Sequence, residues 1–585
     1  MAASGPTGGE ERPQSAVSAA APHPALAQRA AAWLASDPDP ETRAALAHLL
    51  ETQAWDELAE RFAGRLAFGT AGLRAPLGAG PMRMNRLVVR GAAAGLMGFL
   101  RAQGCTAPLV VVGFDARHNS DVFAADSAAV IAAADGRAVV FDGPGPTPLL
   151  AFAVRHLGAD AGVMVTASHN PATDNGYKVY LSDGAQLVPP IDLEVAAHIA
   201  AAGLDVPLAA ADHPAIVVMG ASVRRAYLEA VVGQLSPGGA RQVRVAYTPL
   251  HGVGARTATE AFAAGGFPTL QVVAEQADPD PAFPTVAFPN PEEPGALDCG
   301  LALAAAVGAD VLLANDPDAD RLGVAVPDGS AGWRVLTGDE IGVLLADHLL
   351  RHRDRRGERL VVTTMVSSRQ LGRLAEARGV HYAETLTGFK WIVRPVLEHP
   401  TWRFVLGYEE ALGFAVGSAV HDKDGIAAAL VFAELVAESL VDGVGVLDRL
   451  ELLARELGLH ATVGYALRFG AAAGAEAQAA TMQRVRRVPP VVLGGVPVSA
   501  RRDLLEHPPP GPAVAAVPAD LVVWELADGA RVVLRPSGTE PKLKVYLEVV
   551  EPVAPTAEGY RSARAAADRR LAALRSDLDD LLLPG

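Results

Sequence analysis

A chain of 585 residues, half of them hydrophobic and only 5% aromatic, is long enough for about four domains with several buried cores. Its net charge of -16 excludes a broad electrostatic surface for nucleic acid or an anionic membrane, while leaving room for a local basic pocket. Two cysteines, Cys105 and Cys299, rule out a disulfide framework and sit in no metal-ligand spacing, which fits a reducing cytoplasm.

Residues 1–24 carry Glu10, Glu11 and Arg12 among Gly, Pro, Ser and Ala. Without an apolar h-region before a cleavage site, they read as a disordered tail and not as a signal peptide. No uninterrupted apolar run reaches the ~20 residues of a membrane span. Leu109 to Gly113, Ala138 to Phe141 and Gly162 to Val165 read as buried strands, with a helical pattern from Asp121 to Ala134 between them. Val243 to Tyr247, Asp310 to Leu313, Leu360 to Thr364 and Arg403 to Leu406 repeat the theme. This rhythm predicts α/β layers.

The C-terminal part differs. Leu521 to Glu525 and Arg531 to Leu534 predict a hairpin around Asp528-Gly529. From Lys542 to Val549, Leu543, Val545, Leu547 and Val549 face one way; Lys542, Lys544, Tyr546 and Glu548 face the other. That alternation marks a half-buried antiparallel strand. A final helix carries Leu571, Leu574, Leu578 and Leu581 at helical spacing. The expected fold class is α/β: three consecutive mixed-sheet domains at 25–212, 213–328 and 329–460, then a smaller α+β domain at 461–585, around a central cleft.

Several segments carry chemistry. Thr166-Ala167-Ser168-His169-Asn170-Pro171 follows a predicted strand, and ligands gather beyond the carboxyl ends of such strands. Ser168 can be presented to a cleft there, with His169 available for proton transfer or loop orientation. On local grounds the same residues also fit an ordinary turn. Asp316-Pro317-Asp318-Ala319-Asp320-Arg321 places three carboxylates within five residues, a costly cluster unless solvated or bound to a cation. Hard oxygen ligands suit Mg²⁺; an EF-hand is excluded, because Arg321 and Pro327 stand where that loop needs Gly and Glu. Arg321 could hold a phosphate oxygen.

Thr387-Gly388-Phe389-Lys390 and Gly407-Tyr408-Glu409-Glu410-Ala411-Leu412-Gly413 bring paired carboxylates suited to sugar hydroxyls, or simply two solvated glutamates. Arg535-Pro536-Ser537-Gly538-Thr539-Glu540-Pro541-Lys542 can wrap a phosphate with backbone N–H groups, hydroxyls and a guanidinium, or form a plain turn. Gly69 to Arg74 and Gly113 to Arg117 are weaker signals of the same kind.

Together, in order from Gly69 to Glu548, these segments resemble the α-D-phosphohexomutase superfamily of phosphoglucomutases and phosphomannomutases. The resemblance implies four domains around a cleft. It implies that Ser168 carries a phosphoryl group and that Asp316, Asp318 and Asp320 bind one Mg²⁺, with an oxygen on Ser168 as a further ligand. Arg74 and Lys178 look like the basic residues near the reacting phosphate, and Glu409 like the sugar-contacting glutamate. Arg535, Ser537, Gly538 and Thr539 look like the clamp on the phosphate that stays. Arg321, Glu410 and Lys423 join the substrate-binding set; Lys390 and His169 are the candidates for the base.

The sugar loop departs from the family pattern. Ala411 replaces a serine that many members carry, and Phe389 stands where phosphomannomutase-type members often have histidine. Gly407 to Gly425, with Asp422-Lys423-Asp424-Gly425, looks closer to the branch holding phosphoglucomutase-2, phosphopentomutase and related bacterial enzymes. The implied activity is interconversion of a sugar 1-phosphate and 6-phosphate, glucose favoured over mannose or a pentose. A sugar bisphosphate would act as activator, in a cytoplasmic monomer or dimer. Two readings of other classes stay open. One is an aspartyl phosphotransferase using Asp316, against which Asp320 stands at the fifth place of its motif. The other is a silent sugar-phosphate sensor.

Overall fold

The structure is a computed structural model that describes residues 24–66, 72–329, 332–352, 356–470, 474–508, 517–537 and 541–583. The expected tail, apart from Pro24, and the clamp residues Gly538 and Thr539 lie outside the described residues, as does Gly69 to Ala71. Three N-terminal helices that sequence reasoning did not name, Pro24–Ser36, Pro40–Glu51 and Trp55–Arg61, close around Trp33, Leu46, Leu58 and Phe62. Asp39 caps the second by accepting from Glu41 N, and Pro40 occupies the first turn, where its missing N–H costs nothing.

Four sheets follow in chain order. The first holds β1 (Leu73–Pro76), β2 (Leu109–Phe114), β3 (Arg137–Val140), β4 (Ala161–Val165), β5 (Asp174–Leu181) and β6 (Ile216–Val218), ordered β1-β5-β4-β2-β3-β6. The second holds β7 (Val245–Thr248), β8 (Gln271–Val272), β9 (Val311–Ala314), β10 (Gly323–Pro327) and β11 (Trp333–Val335), ordered β11-β10-β9-β7-β8. The third holds β12 (Arg359–Thr364), β13 (His381–Thr385), β14 (Arg403–Glu409) and β15 (Gly413–Val416), ordered β13-β12-β14-β15. Each has parallel central strands and at least one antiparallel edge strand. The expected mixed-sheet α/β fold class is therefore observed.

The fourth sheet is antiparallel throughout. It holds β16 (Leu459–Arg468), β17 (Val492–Leu493), β18 (Val496–Asp503), β19 (Val522–Leu526), β20 (Arg531–Pro536) and β21 (Lys542–Glu551), ordered β16-β21-β20-β19-β18-β17. The hairpin around Asp528-Gly529 forms as expected, and helix Ala557–Leu582 follows.

The expected domain borders need correction. Residue 212 falls before β6, which pairs with β3 in the first sheet; residue 328 falls before β11, which pairs with β10; residue 460 falls inside β16. Each misplacement concerns a short edge strand or a strand start, where apolar patterning is weakest.

Burial explains the strand sequences. β2, β4, β9 and β12 are covered by helices on both faces, so they read as continuous apolar runs. One core runs through the first three sheets, taking in Leu150, Tyr227, Phe262, Leu344 and Phe432. The fourth sheet keeps its own core around Trp524, Leu543, Leu547 and Leu578. Among the described residues no helix is long and apolar enough to cross a membrane.

Candidate active site

The carboxyl end of β4 leads into Thr166–Pro171. Ser168 is buried and sits at φ 54°, in the left-handed region that a non-glycine residue adopts only when its surroundings hold it there. Two features hold it. Its backbone N–H donates to Thr166 Oγ1 at 2.8 Å. The Arg117 guanidinium, reaching in from beyond β2, donates to the carbonyls of Ser168 and Asn170 at 2.6 Å each, and to those of Pro171 and Asp174 at 2.8 and 3.1 Å. Arg117 is itself buried, 3.5 Å from Asp115 Oδ2 and over the Phe283 ring. Sequence reasoning singled out Gly113 to Arg117 only weakly; the structure makes Arg117 the clamp of the serine loop.

The end of β9 leads into the acidic loop, and Ala319 again takes a left-handed φ of 56°. Asp316, Asp318 and Asp320 are fully buried, with one oxygen of each within 4.8 Å of the others. Ser168 Oγ donates to Asp316 Oδ2 at 2.9 Å and lies 3.2 Å from His169 Nδ1. Lys178, on β5 and buried, donates to Asp318 Oδ2 at 2.7 Å and to Asp320 Oδ2 at 2.9 Å. Thr147 Oγ1 donates to Asp318 Oδ2 at 2.6 Å, and Arg321 N to Asp316 Oδ1 at 2.9 Å. Lys423 Nζ is 3.3 Å from Asp320 Oδ2. Gly425 follows closely because a Cβ there would meet the Arg321 carbonyl at 2.3 Å.

These contacts leave Asp318 Oδ1 and Asp320 Oδ1 buried without any hydrogen-bond partner. Burial and the two neighbouring carboxylates push the Asp316 carboxyl well above its ordinary range. Burial pushes on Asp320 too, but Lys178, Lys423 and Arg321 hold it ionised. Two bare carboxylate oxygens and a third acid under repulsion fit a hard divalent cation, which would satisfy all three. Burial first, then Arg321 and Arg74, keeps the His169 imidazole neutral.

A cavity of about 150 Å³ opens on this cluster, lined from all four sheets. Arg74 and Ser168 come from the first, Asp320 and Arg321 from the second, Glu409, Glu410 and Lys423 from the third, and Arg535, Lys544 and Tyr546 from the fourth. Glu409 Oε1 accepts from Gly388 N at 2.8 Å. Glu410 Oε2 accepts from Ser367 Oγ at 3.1 Å, and burial, with Glu409 next, pushes its carboxyl up to about 7. Arg74 donates to Asn170 at 3.4 Å.

Lys390 is not among the side chains lining the cavity; Phe389 lines it instead. Lys390 Nζ lies over the Trp391 ring, 5.9 Å from its centroid, and is buried on the short helix Phe389–Ile392. Ser537 turns its backbone into the strand pair, N–H to Lys542 O at 2.8 Å. Lys544 and Tyr546 were missed as site residues. The alternation along β21 sets them opposite its apolar face, a side that reads equally as solvent-facing.

Comparison with known proteins agrees with this geometry. Residues 65–204, 225–329 and 337–450 match phosphoglucomutase/phosphomannomutase alpha/beta/alpha domains I, II and III, and residues 499–558 match the C-terminal domain of the same family. A Haemophilus influenzae protein named "Probable phosphomannomutase" is 39% identical, over 80% of this chain and 93% of its own. Phosphoribomutase of Saccharomyces cerevisiae is 36% identical, over 88% and 91%. For the fold, the crystal structure of parafusin from Paramecium superposes with a TM-score of 0.67 at 19% identity, over 89% of this chain and 96% of that one.

Proposed function

This chain belongs to the phosphoglucomutase/phosphomannomutase family, and on that premise we propose that it moves a phosphoryl group between the anomeric and terminal hydroxyls of one aldose phosphate through phosphorylated Ser168. The observation that carries the reading is Ser168 Oγ, 2.9 Å from Asp316 Oδ2 at the mouth of a cavity lined by cations from all four sheets.

Phosphoryl transfer needs in-line positioning and charge neutralisation more than elaborate covalent chemistry. Asp316, Asp318 and Asp320 would hold Mg²⁺ together with an oxygen on phosphorylated Ser168. When bound, the ion offsets the roughly -1.5 to -2 charges of a phosphoserine. Lys178, Arg74 and Arg321 add positive charge at the same point. The neutral His169 imidazole, 3.2 Å from Ser168 Oγ, accepts the proton of the attacking sugar hydroxyl. Glu409 and Glu410 hold sugar hydroxyls. Arg535, Ser537, Gly538 and Thr539, with Lys544, grip the phosphate that stays. The bisphosphorylated sugar then turns and returns its other phosphate to Ser168, and the same bisphosphate added from outside primes the enzyme.

We assign glucose 1-phosphate and glucose 6-phosphate as the preferred pair, in a cytoplasmic monomer or dimer. A pentose 1-phosphate and 5-phosphate is the second reading, favoured by the missing hydroxyl at Ala411 and by the yeast relative's name. A panel of hexose and pentose 1-phosphates, ranked by kcat/KM with Mg²⁺ and a bisphosphate primer, decides between them. No turnover of any sugar phosphate would overturn the assignment as an enzyme and favour a sensor.

A further inference from the structure

Away from the cleft, two packed helices of the third α/β layer bring together a second set of metal-ligating side chains. Helix Gly338–His352 carries His348 and His352 one turn apart, and helix Gly425–Asp442 carries Glu434 and Glu438 one turn apart. His348 Nδ1 and His352 Nε2 both point at one atom, Glu438 Oε2, from 3.0 and 2.9 Å. One ligand atom from each of the three residues lies within 4.8 Å of the others.

His348 is buried, and its other nitrogen is spoken for: Nε2 meets Glu434 Oε2 at 3.0 Å. Glu434 is fixed in turn by Arg241 at 2.7 Å and by the Ser236 backbone N–H at 2.9 Å. With Nε2 held by Glu434, the ring turns Nδ1 toward Glu438. Consistent with that, His348 Nδ1 and Glu438 Oε2 are both buried without a hydrogen-bond partner despite their closeness. Their approach calls for a positive charge between them, a proton or a metal ion, and the poor hydrogen-bond geometry favours the ion. The chain carboxylate–imidazole–vacant nitrogen is the outer-shell arrangement that orients a metal-binding histidine.

From this geometry we infer that His348 Nδ1, His352 Nε2 and Glu438 Oε2 form a second cation site, separate from the aspartate triplet, for a borderline divalent ion of the Zn²⁺ class. Two imidazoles and one carboxylate select such an ion over Mg²⁺, and three protein ligands leave a fourth position for water. The basic neighbours are compatible with occupancy. Arg351 Nη1 bonds the other Glu438 oxygen, Oε1, at 2.9 Å, and Arg449 lies 3.7 Å from that same atom. Arg351 Nη1 also sits 3.2 Å from His352 Nε2, and this one contact gives way when the nitrogen turns to the ion. An ion here ties the two helices together without touching the reacting groups.

The test uses untagged full-length protein saturated with Mg²⁺ and titrated with ZnCl₂ by calorimetry, with retained zinc counted by elemental analysis after desalting. One Zn²⁺ per chain is expected to be retained without displacing Mg²⁺. His352→Ala, at a side chain one-third exposed, should fold normally by circular dichroism and weaken zinc binding about 100-fold or more. Glu438→Gln should do the same. Absence of retained zinc in the wild type would overturn the site, leaving His348 as a doubly protonated ring between two glutamates. Equal retention by wild type and His352→Ala would overturn it as well.

Discussion

At the scale of single residues, positive charge brought from distant segments governs the site. Arg117 answers four carbonyl oxygens of the serine loop and faces Asp115 across 3.5 Å. Arg117→Met leaves a buried carboxylate without its cation, a loss of about 3–5 kcal/mol. It also frees Ser168 from its strained φ. Urea unfolding should show that loss, and kcat should fall more than KM rises; wild-type stability and turnover would contradict the clamp. Glu410 gives a second, pH-dependent test. Its carboxyl titrates at about 7 in the folded chain against an ordinary 4.5. The folded state therefore keeps a proton that the unfolded state has already lost across this window. The associated stability is full below pH 4.5 and fades as pH rises through about 7. Glu410→Gln does not titrate, so wild type should lose stability relative to the variant across the window. A constant difference on both sides of it would refute the burial argument.

At the scale of elements, β21 does two jobs. Its apolar face fills the core of the fourth domain, and its other face offers Lys544 and Tyr546 to the cleft. The alternation made the first job legible in the sequence and hid the second, since a polar face reads equally as solvent-facing. Glu548 shows why. It lies on the expected exposed face yet is 2% exposed, bound by Arg369 Nε at 2.7 Å, Arg531 Nη2 at 3.3 Å and His460 Nδ1 at 2.9 Å. These partners come from helix and strand ends far along the chain, which no local pattern records. Glu548→Ala removes the carboxylate shared by Arg369, Arg531 and His460, while Arg369 keeps Glu525 and Arg531 keeps Glu384, and should cost about 1–3 kcal/mol. Since the fourth domain has its own core, calorimetry should show it melting ahead of the rest. A single transition at the wild-type temperature would contradict the latch.

At the scale of the whole molecule, a chain of net charge -16 builds one basic cleft by gathering Arg74, Arg321, Lys423, Arg535 and Lys544 from four sheets. The acidic loop and the serine loop were legible because each packs its chemistry into six consecutive residues behind a strand. The cation partners of those loops were less so. Lys178 was reached only through family resemblance, and Lys390, expected at the cleft, sets its Nζ over the Trp391 ring and is not among the cavity-lining residues. Both facts follow from tertiary placement: Lys178 reaches the triplet because β5 runs antiparallel beside β4, with Lys178 opposite Met164. One core runs through the first three layers, the fourth has its own, and a smaller cluster with Val188, Met365 and Trp391 against Leu521 and Val533 joins the fourth to the rest.

All of this converges on one side-chain oxygen. The most direct measurement is peptide-resolved mass spectrometry of the enzyme after exposure to a sugar bisphosphate, paired with turnover of Ser168→Ala. The account predicts one phosphoryl group on Ser168 and a variant whose rate falls by about 10³-fold or more. A phosphoryl group found elsewhere, or none at all, together with a variant that still turns over, would contradict it.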